Sequence, residues 1–89
     1  MIDAAQAAKW MVEQLERDGC VYQDDVVDYL TRANGSHLLR ENADGNEVLG
    51  RDMLAAFKAM TEMTVVWVRS AFYWRWRVPE DEPGREARG

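Results

Sequence analysis

From Val65 to Val78 the chain reads Val-Val-Trp-Val-Arg-Ser-Ala-Phe-Tyr-Trp-Arg-Trp-Arg-Val, which sets five of its nine aromatic residues within ten positions and includes no acid. Phe72, Trp74, Trp76 and Val78 alternate with Tyr73, Arg75 and Arg77, the two-residue period of a strand with one buried and one wet face. Val65 and Trp67 then belong to a partner strand, joined through a turn at Ser70-Ala71. If Arg69 faces Phe72, the register places Trp67 opposite Trp74 and Val65 opposite Trp76. Val65, Trp67, Phe72, Trp74 and Trp76 are then expected on the core face, and Val66, Val68, Tyr73, Arg75 and Arg77 on the other.

A two-stranded hairpin is marginal by itself in water, so this one needs a roof. Asp3 with Gln6 forms a capping box, and Ala4, Ala7, Ala8, Met11, Val12 and Leu15 recur at helical spacing, which predicts a first helix over 3–18 with its stop at Gly19. Cys20-Val21-Tyr22 reads as a short extended piece. Asp24 and Asp25 place acid in the first turn of a second helix over 24–33, with Val26, Val27, Leu30 and Ala33 inward and Asn34-Gly35 as its end. Residues 37–41 read as a short strand before the Asp44-Gly45 turn. Val48, Leu49, Met53, Leu54, Phe57 and Met60 return to helical spacing and predict a third helix that starts between 46 and 51 and ends near Thr61. The expected fold class is α+β, with three helices packed on a C-terminal antiparallel hairpin plus a short strand.

With 89 residues the chain has room for one domain, assigned here to 1–78, with 79–89 as an acidic tail containing two prolines. No apolar run reaches the roughly 18–20 residues of a membrane helix, and the N-terminus lacks the pattern of a signal peptide, so a cytoplasmic protein is expected. One cysteine, Cys20, gives no disulfide framework and reads as a small apolar residue. The net charge of −5 is uneven. Residues 1–62 carry 6 basic and 12 acidic side chains, whereas 63–78 carry 3 basic and none acidic. A sequence pI near 4.7 disfavours a general nucleic-acid coat, although it leaves room for a local contact through the cationic ribbon.

Chemistry-bearing constellations are thin. His37 is the only histidine, and neither Ser36 nor Ser70 has a spacing tied to a base and an orienting acid. Asn42, Asp44, Asn46 and Glu47 fail the spacing of a calcium loop, and Asp24, Asp25 and Asp28 are explained by the helix dipole. No enzyme, cofactor or metal is therefore expected. Arg69, Tyr73, Arg75 and Arg77 form the candidate interaction surface, toward a protein partner or a homodimer. The alternative is a small DNA-binding regulator that uses Arg69, Arg75 and Arg77 to grip phosphate. Self-neutralisation of the arginines by Glu80, Asp81 or Glu82 competes with both readings.

The order helix, extended piece, helix, helix, hairpin resembles a winged helix-turn-helix domain over residues 3–78. The dozen residues between the second and third helices depart from that class, and from Glu47 to Thr61 Arg51 and Lys58 balance Glu47 and Asp52. At a finer level Asp44-Gly45-Asn46, Met53-Leu54-Ala55-Ala56-Phe57, Thr64-Val65-Val66-Trp67, Trp74-Arg75-Trp76-Arg77 and Asp81-Glu82-Pro83-Gly84-Arg85 resemble a family of small uncharacterised bacterial and phage proteins. That resemblance brings no activity with it. It implies that Asp81 to Arg85 can dock back on the hairpin.

Overall fold

The computed structural model describes residues 1–87. Helix α1 spans Ala4–Asp18, strand β1 Cys20–Tyr22, helix α2 Gln23–Arg32, strands β2 Leu39–Glu41 and β3 Glu47–Leu49, helix α3 Arg51–Thr61, and strands β4 Val65–Val68, β5 Tyr73–Trp76 and β6 Glu86–Ala87. A 3-10 turn over Ser36–Leu38 precedes β2. The capping box forms as its residue types require: Asp3 Oδ1 accepts from the Gln6 amide at 2.8 Å and Gln6 Oε1 from the Asp3 amide at 3.0 Å. Gly19 stops α1 in the left-handed region, φ +82°.

The main sheet has strand order β1-β5-β4-β6, antiparallel except for the parallel pair β4–β6. The β4–β5 register sets Val65 against Trp76 and Trp67 against Trp74, as the alternation predicts. Trp74 (4% exposed) meets Phe57 of α3 edge-on at 5.4 Å, and Trp76 Nε1 donates to the Leu15 carbonyl of α1 at 3.1 Å. Both helices thus roof one face of the sheet, over a core that includes Ala7, Met11, Leu15, Val21, Phe57 and Val65. Trp10 of α1 stacks on Tyr29 of α2 at 3.9 Å. The fold is α+β.

Several expectations change. Phe72 leaves the core face: it ends the turn at φ +55° and is 57% exposed. Val48 and Leu49 belong to β3, paired with β2 in a separate two-stranded sheet, so α3 begins only after Gly50. Gly50 fits there because its amide donates to the Leu38 carbonyl at 2.7 Å, and a Cβ would lie 2.7 Å from that same oxygen. Leu54 and Met60, read as inward residues, are 39% and 50% exposed. Residues 79–87 do not trail away from the body. Asp81 is tied to Arg75 of β5, and the segment returns as β6 beside β4.

Candidate functional site

Of the four predicted residues Arg69, Tyr73, Arg75 and Arg77, the last three alternate along one face, where the two arginines are engaged by residues 81–84. Arg69 lies exposed in the four-residue turn between β4 and β5. Tyr73 is half-buried, with its ring 5.0 Å from that of Tyr22 on the neighbouring β1. Arg75 is held internally: its two terminal nitrogens donate to both Asp81 oxygens at 3.0 and 2.7 Å. Its side chain is 20% exposed and that of Asp81 8%. Arg77 donates to the carbonyl oxygens of Glu82 and Gly84.

The strand period explains this division. Val66 and Val68 alternate with the core residues Val65 and Trp67, so they point away from the helices, yet both are fully buried. Residues 79–87 form a strap on that side, fixed by the Arg75–Asp81 pair and by β6 beside β4. Arg75 shares the face of Val66 and Val68 and meets Asp81 in the bidentate geometry that guanidinium and carboxylate favour. The Arg75 bonds, followed by the Val78 amide donating to Oδ2 at 2.9 Å, hold the Asp81 carboxyl down at about 2 and raise the Arg75 guanidinium.

At the far end of the strap the Arg85 carbonyl accepts from the Trp67 amide at 2.7 Å, opening the parallel pairing with β4. The Arg85 guanidinium then turns inward. Nη1 donates to the carbonyls of Thr61 at 2.6 Å and Val65 at 3.0 Å, Nη2 donates to Thr61 Oγ1 at 2.9 Å, and the group lies 5.6 Å from the Phe57 ring centroid. Thr61, 2% exposed, donates its own hydroxyl to the Phe57 carbonyl at 2.7 Å. The last carbonyl of α3, the first of β4 and an aromatic face make an environment suited to a cation. Burial nevertheless lowers the Arg85 pKa. Charge proximity flagged Asp81 in the sequence; nothing there flagged the Thr61–Arg85 contact, because it joins residues 24 apart.

With the arginines drawn inward, the exposed end of the hairpin is Arg69, Ser70 and Phe72. The Phe72 ring meets Trp67 edge-on at 6.2 Å, and Trp67 is itself only half-buried. Behind Phe72 runs a groove of about 990 Å3 lined by Val27, Val48 and the exposed carboxylates of Asp24, Asp44 and Glu47. Asn42 shapes its rim, with Oδ1 accepting from the amides of Asp44 and Asn46, both at 3.0 Å. Among the described residues no group of three His, Cys, Asp or Glu side chains could hold a metal ion, and no helix is long and apolar enough to cross a membrane.

The sequence profile of DUF6953, a family of unknown function, matches residues 3–76. The chain belongs to that family. The match to DUF6953 runs from the α1 capping box to the last residue of β5 and stops short of the strap. No curated protein and no solved structure matches the chain.

Proposed function

We propose that this chain is a non-enzymatic interaction domain whose hairpin turn, with Phe72 at its end, contacts a protein. The observation that carries the reading is the state of Phe72: a bulky aromatic residue that is more than half exposed and held at φ +55°. A left-handed backbone costs an L-residue about 1–2 kcal/mol, and a strained, exposed aromatic residue is more readily explained by contact than by packing. Trp67, Tyr73, Tyr22 and Arg69 lie around it, and Trp, Tyr and Arg are the residues that dominate protein interfaces.

The DNA-binding alternative keeps one favourable observation, since β1 follows α1 and pairs with the second strand of the hairpin as the winged-helix order requires. Its charge is depleted. Arg75 and Arg77 are engaged by the strap, which leaves Arg69 as the exposed cation of the three. An anisotropy titration against mixed duplexes at low salt separates the readings, because phosphate contacts make DNA affinity steeply salt-dependent.

The protein-contact reading is tested by placing a photo-reactive phenylalanine analogue at position 72, with a control at Glu13 on the exposed face of α1. Discrete adducts from position 72 and none from 13 are expected in the cells that express the chain. No adduct from 72, or the same adducts from both positions, refutes it.

A further inference from the structure

The strap occupies what has the construction of a peptide-binding edge. Strand β4 offers its free side to the two residues of β6, and the backbone pairing there is parallel, with Trp67 opposite Glu86 and Val68 opposite Ala87. Arg75 takes a carboxylate in bidentate form. Four residues further along the bound segment, an arginine enters a pocket whose walls are the Thr61 and Val65 carbonyls, the buried Thr61 hydroxyl and the Phe57 ring. Main-chain pairing along an edge with side-chain pockets at fixed offsets is how sheets recognise extended peptides.

We propose that this edge is a receptor for a segment carrying aspartate four residues before arginine, bent between the two at Gly84 and paired with β4 just beyond the arginine, and that a second copy of the chain supplies residues 79–87 to it by exchanging straps. The occupant follows from what is seated there: the chain's own segment fits in cis, and the identical segment of another copy presents the same groups. Pro79 sits second in a turn closed by the Asp81 amide donating to the Val78 carbonyl at 3.0 Å, and opening that one turn lets the segment reach outward to another copy. Exchange of an identical element is a low-cost route to a dimer. A short connection gives the cis strap a local concentration on the order of millimolar, so the unaltered chain is mainly closed at tens of micromolar. The proposal is independent of the contact assigned to Phe72.

Charge reversal tests it. In full-length Arg75→Glu the cis pair becomes two carboxylates, and in full-length Asp81→Arg it becomes two guanidiniums; mixing the two variants restores both pairs, but only between chains. Light scattering of a 1:1 mixture, unfolded and refolded together, is expected to show a dimer fraction roughly tenfold above either variant alone. A mixture that stays monomeric while both variants remain folded overturns the proposal, as does a dimer of equal strength in either variant alone. If a reversal prevents folding, full-length Asp81→Asn labelled with nitrogen-15 is titrated with a synthetic peptide of residues 79–89. Shifts at the Thr61, Val65 and Trp67 amides support the receptor, and their absence at millimolar peptide overturns it.

Discussion

Arg85→Met keeps the aliphatic stem and removes the guanidinium, so it isolates the polar anchor of the strap. Three donated bonds disappear, to Thr61 O, Val65 O and Thr61 Oγ1, together with the cation over Phe57. A bond from a charged donor is worth about 1.5–3 kcal/mol, but three from one partly solvated group do not add, and a net loss of about 2–3 kcal/mol is expected. A domain of this size has about 4–13 kcal/mol in total, so the loss is a large share. In a thermal melt followed by tryptophan fluorescence it lowers Tm by about 10–20 °C. Thr61→Val, which removes the buried hydroxyl at nearly constant volume, costs about 1–2 kcal/mol. The two changes share one bond, so a double-mutant cycle should show coupling of about 1 kcal/mol. An Arg85→Met cost below about 0.5 kcal/mol, or strict additivity with Thr61→Val, would refute the anchor.

Phe72→Asn should leave stability within about 1 kcal/mol, because asparagine tolerates φ +55° and the ring buries little, whereas Phe57→Ala in the core costs about 3–5 kcal/mol; urea denaturation of both distinguishes a presented aromatic from a packed one. Asp81 sits at about 2, below its ordinary 3.8, so its contribution is complete above about pH 4 and is lost as pH falls through about 2. Carboxyl titration by NMR checks this; a midpoint near 4 in the folded protein contradicts the Arg75 pair. Gly50→Ala drives a Cβ to 2.7 Å from the Leu38 carbonyl, a backbone atom with little room to yield, and should lower Tm by about 5–15 °C, measured by calorimetry.

Much of the fold is legible because its signals are local. The Asp3–Gln6 box, the Gly19 stop and the apolar stripe of α1 are set within one or two turns. The β4–β5 register follows from strict alternation between Val65 and Trp76. Phe72 is misread because that alternation is extended into a turn whose last residue is left-handed without the glycine or asparagine that would announce it. Val48 and Leu49 satisfy helical spacing with Met53 as well as they satisfy a strand, and only their pairing with β2 decides between the two. Strand β6 has two residues and no apolar period, so it exists through backbone pairing to β4 and the reach of Arg85. For the candidate site, the competition between the arginines and the downstream acids is visible in composition. Which arginine wins which partner requires the third dimension.

The strap lies against β4 and not free in solvent, and native-state hydrogen exchange at the Trp67 amide reads that contact alone. This amide donates to the Arg85 carbonyl at 2.7 Å, on the side of β4 that faces away from β5. The docked strap predicts strong protection at Trp67 in the full chain, selectively reduced by Arg85→Met while the β4–β5 amides stay protected. A Trp67 amide that exchanges at the rate of an unstructured peptide in the unaltered chain would contradict it.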